Sequence, residues 1–480
     1  MRIIKKLRLI ICIILIYLAL IISNPFTMAT SKPIIENKVN FEDANVKDTS
    51  ISVKATDYNY IQRNFQFSGE GHFFIRRINF NTNNGYYESS YLIPGNNGSV
   101  TFFKDKKMHT TSLEDGFLPL DSILYLETDK HSMIISQAYS YKDLDYGTKD
   151  TSSDTYPVSI TKENNYFRVK YRFKNLDDYH GILWGLASDN QLIDLNNNDQ
   201  KNIWSNYDLT NMARLCEDGY YYKSPSSYTP STPTSYWRNP SMYIVQSWVN
   251  TGGSLAANIL AKSYLFIGID NINEEGFFPT LPQSDWLKED YGIGAGFFDT
   301  RFNADMGETY LNAYKKFKYP QFKEAYEKLA SYYTRHIMAN HYSIYDNVGN
   351  EGWLVEDYSY DEDIKPVHVS LNHQIFAADW YLQIFEFTND KEFEKIALKM
   401  LQGVKNTRDG WIKNDNNLEY AYFPDGSYGL VEYPFLTYND LFDFQNSYSR
   451  IYGFRDKDID ILMNAKKIWM DTNGVTEYRK

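Results

Sequence analysis

WLVEDYSYDEDIKPVHVSLNHQIFAADWYLQIFEFTNDKEFEKIALKMLQGVKN, residues 353–406, is the stretch on which the fold turns. It opens as an irregular loop rich in carboxylates and tyrosines and closes as two amphipathic helices. Leu371, Ile375, Ala378, Leu382 and Phe385 recur every three or four residues, the spacing of one helical face. After the polar break at Thr388–Lys391, Phe393, Ile396, Leu398, Leu401 and Val404 carry a second such face. A loop feeding a helical hairpin suits a ring of hairpins, in which rim loops are free to carry chemistry and helices serve as scaffold.

Outward from that stretch the same pattern repeats. Asn303–Phe317 with Pro320–Ala339 predicts a hairpin upstream, Pro320 being well placed in a first helical turn. Asn439–Tyr452 with Asp456–Met470 predicts another downstream, and Pro240–Ile269, interrupted at Gly252-Gly253, reads as two shorter helices or a bent one. Such pairs suggest an α/α toroid, incomplete or of six hairpins, without a sequence-level repeat behind it. Ser224–Thr234 (SPSSYTPSTPT) reads as the least compact segment, extended and exposed.

Before residue 185 the pattern is different. Phe65–Phe67, His72–Phe80, Tyr86–Ile93, Val100–Phe103, Ile123–Glu127, Met133–Tyr141, Val158–Thr161 and Tyr166–Phe173 alternate or cluster β-formers between Asn-, Gly- and Asp-rich turns. They predict an antiparallel sandwich or barrel. The expected chain is therefore an α+β multidomain protein, with an N-terminal antiparallel β region at 51–185 followed by an α/α toroid at 186–480.

Ahead of these, Met1–Arg8 carries four positive charges and Leu9–Ile22 is an unbroken apolar run of 14 residues. That run is short of the roughly 20 residues a membrane span needs but suits a signal-peptide core, with Thr27-Met28-Ala29 as cleavage positions. The expectation is a signal peptide at 1–29, or an uncleaved anchor giving membrane association through this segment alone, and a linker at 30–50. Either way the protein would be secreted or held in the cell envelope. Loss of Arg2, Lys5, Lys6 and Arg8 would take the formal charge from −12 to −16, which speaks against a nucleic-acid partner. Only Cys216 would survive processing, so no intrachain disulfide is expected. The 42 tyrosines within a 17% aromatic content suit a sugar-binding cleft and equally an AT-rich codon usage.

The sequence holds no nucleotide loop, no Ser/His/Asp elbow and no Cys/His metal cluster. His368 and His373 lack the glutamate of a zinc-protease helix, so no metal and no cofactor are expected. Three polar clusters remain. Asp299-Thr300-Arg301-Phe302-Asn303-Ala304-Asp305 opens a helix, where Arg301 could clamp a carboxylate and Asn303 or Asp305 could cap. Glu356-Asp357-Tyr358 leads to Ser370-Leu371-Asn372-His373 at the next helix start. Glu432-Tyr433 leads to Thr437-Tyr438-Asn439-Asp440 at a third.

These clusters resemble the C-terminal catalytic region of the D-glucuronyl C5-epimerase family. The likeness rests on Trp353, Glu356-Asp357-Tyr358, Leu371-Asn372, Glu432-Tyr433 and Asn439-Asp440-Leu441, and covers roughly the last 190 residues. At Asn303-Ala304-Asp305 the chain departs from the family's Gln-Gly-Gln, and at Leu436-Thr437 from its closing histidines. The resemblance implies epimerisation at the carbon next to a uronate carboxylate in a polysaccharide. That chemistry needs two proton-transfer groups on opposite ring faces and donors that hold the carboxylate. By the same resemblance Glu356, Tyr433 and Tyr358 would be catalytic. Arg301, Asn303, Asp305, Asn372, His373 and Tyr438 would bind the substrate, a polysaccharide or oligosaccharide. A polysaccharide lyase using Asn372-His373 and a nearby tyrosine, a hydrolase using Glu356 with Asp305, and a non-catalytic envelope glycan-binding protein stay open as alternatives. The β region could cover the cleft, bind glycan or pair two copies into a homodimer.

Overall fold

The computed structural model describes residues 33–480 apart from 83–85, 121, 137, 153, 155 and 208–212. The signal-peptide reading therefore lies outside the described residues. Among the described residues no helix is long and apolar enough to cross a membrane. The chain divides into two units. One holds the residues up to Ser224 with Thr232–Arg238 and Ser247–Ile267. The other holds Pro225–Ser231, Asn239–Gln246 and Gly268–Lys480.

The first unit is the antiparallel β region. Its main sheet runs β1 (Ile34–Glu42), β2 (Val46–Lys54), β3 (Tyr58–Phe67), β4 (Gly71–Phe80), then His180–Ser188 and Tyr139–Asp143, and continues through Thr148–Thr151, Ser235–Arg238, Gly219–Lys223 and Ala213–Cys216. A smaller sheet joins β5 (Tyr86–Pro94), Tyr166–Lys174, Ser159–Glu163 and Gly116–Phe117. The alternation read in the sequence places Phe74, Ile78, Tyr87, Ile93, Phe167, Val169 and Tyr171 in one apolar core. Two expectations need correction. Residues 34–42 and 46–54 are paired strands and not part of a linker. Strand β1 is exposed along nearly its whole length, so it carries no buried alternation to read. The β region also does not stop at 185, because strands continue to Arg238 and the buried helix Leu255–Ile269 belongs with this unit as far as Ile267.

The second unit is the α/α array. It contains three hairpins, α1 (Thr300–Phe317) with α2 (Pro320–Ala339), α3 (Leu371–Thr388) with α4 (Lys391–Asn406), and α5 (Leu436–Tyr452) with α6 (Lys457–Thr472). Helix α3 packs against both α1 and α5, so these three form one layer and their partners a second. Asp299, Asp390 and Asp456 cap α1, α4 and α6 by accepting from backbone N–H groups. Small residues set the spacing between layers and neighbours. A Cβ on Gly307 of α1 would stand 2.0 Å from the Trp380 ring of α3, and one on Gly403 of α4 would stand 2.3 Å from the Trp353 carbonyl oxygen. Gln374 ties the layers, donating to the carbonyls of Trp353 (2.8 Å) and Met400 (3.0 Å) and accepting from Val355 N–H.

Candidate functional site

The N-termini of α1, α3 and α5 converge. The Thr300 hydroxyl lies 2.9 Å from His373 Nδ1, and Arg301 donates to Asp440 at 2.7 Å, so the N-terminal ends of α1, α3 and α5 meet at one place. Short ladders hold the loops there, Phe298–Asp299 against Tyr358–Ser359 and Val369–Ser370 against Ala421–Tyr422.

At the centre Asp357 is fully buried. It accepts from Ser370 N–H (2.8 Å) and from the Ser370 hydroxyl. Its Oδ2 also lies 3.3 Å from His368 Nε2 and 3.5 Å from His373 Nδ1. Burial pushes this carboxyl up, but the two imidazoles and the serine hydroxyl more than offset it and leave it below the ordinary range. It is an anion inside the protein. The protons on its neighbours can be assigned from donors and acceptors. The Thr300 hydroxyl donates to the Asp357 carbonyl at 2.8 Å, since a carbonyl can only accept. The hydroxyl oxygen must then accept from His373, which puts the imidazole proton on Nδ1 and the lone pair on Nε2. Burial lowers the His373 pKa to about 4, so the ring is neutral at physiological pH. His368 is held in turn by the Tyr291 hydroxyl at 2.8 Å from its Nδ1.

Beside this pair sits a carboxylate-rich rim. Asp299, 6% exposed, is raised to about 7 by burial, with Asp357 and Asp305 adding to the rise against its capping hydrogen bond from Phe302. Burial likewise raises Glu432 to about 7, and Thr437 donates to its Oε1 at 2.7 Å. Tyr433 is 47% exposed, within electrostatic reach of Asp299, Arg301 and Asp357, and stacks edge-on against Tyr420. Tyr228 and Tyr243 feel Asp299 as well. Tyr228 comes from the stretch read as least compact, where Tyr228–Thr229 pairs with Gln283–Ser284.

The positions expected from sequence fall into two groups. Arg301, Asp305, His373 and Tyr433 do come together. Arg301, however, is already occupied. It gives both terminal nitrogens to Asp440 (2.7 and 3.2 Å) and Nε to Asp305 (3.0 Å), with its carbon 4.1 Å from the centre of the Phe376 ring. Ser241 donates to the other oxygen of Asp305. Two carboxylates on one guanidinium leave no positive charge for a substrate carboxylate, which corrects the expected clamp. Tyr433 is also no ready base, because burial and Glu432 push its hydroxyl pKa up, away from neutrality.

The second group points elsewhere. Glu356 accepts from the Tyr342 hydroxyl (2.5 Å) and Val367 N–H (3.2 Å), and shares no hydrogen-bond partner with Asp305. Asn303 is spent on the backbone of Phe278 and Asp299. Tyr358 is buried between Phe297, His368 and His373 with its pKa pushed far up by burial. Tyr438 packs on Phe442 and Tyr478. Asn372 is buried, its side-chain oxygen lacking a hydrogen-bond partner. Sequence reasoning missed Asp357 as the inward acid and gave no role to Asp299, Thr300, His368, Tyr420 or Glu432. For Asp299, Thr300, His368 and Glu432 the available signal was position, each lying within a few residues of a helix start, whereas Asp357 and Tyr420 carried no such signal. Among the described residues no group of three or more His, Cys, Asp or Glu side chains could hold a metal ion.

No family model matches the chain, and no curated protein matches it. Solved structures do. A GH76 α-mannanase from Bacteroides thetaiotaomicron is 15% identical over 49% of this chain and 60% of its own, with TM-score 0.35. Cellobiose 2-epimerase from Spirochaeta thermophila is 16% identical over 49% of this chain and 59% of its own, with TM-score 0.37. A family 76 glycoside hydrolase from a bovine Bacteroides thetaiotaomicron strain is 9% identical over 92% of this chain and 78% of its own, with TM-score 0.38. The first of these is thus matched over less than two thirds of its length. The chemistry of the site is read from this chain's own residues.

Proposed function

We propose that the helical unit is a carbohydrate-active enzyme of the epimerase or isomerase kind, moving a proton on a saccharide with His373 as base and Asp299 as acid. The observation that carries this reading is the Asp357–His373–Thr300 arrangement. It fixes a neutral imidazole with its lone pair on Nε2, held by Thr300, and the residue before Thr300 is Asp299, a carboxyl that burial keeps protonated close to neutrality. A base and an acid whose environments push their pKa values apart are what proton abstraction beside a carbonyl requires. In the proposed step Nε2 takes the proton from the carbon next to the sugar carbonyl. Asp299 gives its proton to the carbonyl oxygen, and an enediol forms. Return of a proton to either carbon or either face gives the isomer or epimer. Asp357 positions His373 and does not meet the substrate. The half-exposed rings of Tyr433 and Tyr243 supply stacking faces.

The finer reading, a uronate C5-epimerase, shares this base but needs a cation for the substrate carboxylate. Arg301 is already divided between Asp305 and Asp440, so a neutral sugar is the better-supported substrate than a polyuronate. Glycoside hydrolysis is the second reading, favoured by the two carboxyls Asp299 and Glu432 that titrate at about 7 and could protonate a leaving oxygen.

The test is solvent deuterium entry into neutral reducing sugars and, separately, into uronic-acid polymers. Substitution His373→Gln is expected to cut the exchange rate by about 100-fold or more while leaving the far-UV circular dichroism unchanged. Wild-type exchange surviving in that variant, or no exchange with any sugar, would end the proposal. Reducing ends released without exchange would move it to the hydrolase.

A further inference from the structure

The first unit contains a buried arginine without a counter-ion. Arg76 lies on the face of β4 that also carries Phe74 and Ile78 into the apolar core, and it is only 8% exposed. Its sequence neighbour Arg77 pairs with Asp143 and Glu217, and Arg63 of β3 pairs with Asp48. Arg76 has no ion pair with any carboxylate among the described residues. Instead Nε donates to Gln62 Oε1 at 2.7 Å, and Nη1 donates to the Tyr87 hydroxyl and to Ser89 Oγ at 3.0 Å. Its guanidinium carbon lies 4.4 Å from the centre of the Tyr60 ring. These bonds use three of the five N–H groups of the fork, and no described residue takes the Nη2 pair. A guanidinium removed from water is costly unless an anion answers it. Here neutral hydroxyl, amide and ring groups fix its orientation without neutralising it.

We infer that Arg76 is the centre of a binding site for a carboxylate-bearing saccharide. The charge favours a carboxylate, since one unpaired guanidinium with no second cation beside it matches a monoanion better than a phosphate dianion. With Nε and Nη1 committed, the two N–H groups of Nη2 are left to donate to a carboxylate oxygen. The surroundings favour a sugar, since the half-buried tyrosines Tyr58 and Tyr60 carry flat rings with polar tips, and the Ser89 hydroxyl, which accepts from Arg76, keeps its own proton to donate. The site belongs to the β unit and does not depend on the reaction proposed for the helical unit.

The test is calorimetric titration of the full chain with a galacturonate oligosaccharide, its neutral galactose counterpart and inorganic phosphate. The uronate is expected to bind and to lose about tenfold or more in affinity in Arg76→Met, with Arg76→Lys retaining part of it. A measurement on the unsubstituted protein guards against a variant that does not fold. Phenylglyoxal modification of Arg76, followed by peptide mass spectrometry, is expected to slow when the uronate is present. No uptake of uronate, unchanged affinity in a folded Arg76→Met, or unprotected modification would overturn the inference. Phosphate displacing the uronate at equal concentration would overturn its saccharide part.

Discussion

Glu356 and Asp357 are adjacent acids in the bend between Glu351–Val355 and Tyr358–Ser359, and only one of them faces the convergent site. In a bend neither composition nor strand alternation says which side chain is inward. Tertiary contacts decide: Asp357 meets Ser370, His368 and His373, while Glu356 turns to Tyr342. The same arrangement sets a pH dependence. His373 must be neutral to act as base, which holds above its pKa of about 4, and Asp299 must be protonated to act as acid, which holds below about 7. The kcat/KM profile is therefore expected to be bell-shaped, rising through about pH 4 and falling through about pH 7. Substitution Asp299→Asn should abolish the alkaline limb along with most activity. A rate still rising at pH 9 in the wild type would contradict both assignments.

Among the elements, the helices were the most legible. Their apolar periodicity located all six hairpin helices to within a few residues, because apolar residues recur every three or four positions even in α3, which is buried almost all round. The strands missed by sequence include several without an inside–outside contrast, β1 being exposed on both faces, His180–Ser188 being buried along nearly its whole length, and Gly219–Lys223 being a run of tyrosines beside a proline-rich stretch. How closely helices approach was not legible at all. Gly307 looks like a weak point in α1, since alanine is the better helix former by about 1 kcal/mol. Yet its missing side chain is where the Trp380 ring sits. Gly307→Ala is accordingly expected to destabilise the protein, by about 1–3 kcal/mol of overpacking, and not to stabilise it. Chemical denaturation of the variant followed by tryptophan fluorescence reads the sign directly, and a higher midpoint would refute the packing argument.

For the molecule as a whole, the order of a β region followed by an α/α array stands as the sequence suggests, but the boundary between them is not a single point. The chain leaves and re-enters each unit between Ser224 and Gly268. The helical unit draws Tyr228, Ser241 and Tyr243 from those returns, and Ser241 donates to Asp305 beneath the candidate site. A fragment beginning at Gly268 loses these residues. One beginning at Leu186 keeps them but strips the buried helix Leu255–Ile269 of the β1–β4 strands that share its unit. Neither fragment is expected to give a monomeric, cooperatively unfolding domain. Size-exclusion chromatography and thermal melting check this, and a sharp two-state melt from either would show that the helical unit folds on its own.

Local sequence determined the six hairpin helices, many of the strands, and that three polar loops each precede a helix start. These properties depend on side-chain periodicity and on capping and turn chemistry within a few residues. Only the tertiary structure decided that those loops meet, that Arg301 is consumed by Asp305 and Asp440, and that His373 keeps its lone pair on Nε2. It also left Arg76 buried without an anionic partner among the described residues. Such outcomes depend on which distant groups share a desolvated space, and no one-dimensional spacing encodes that.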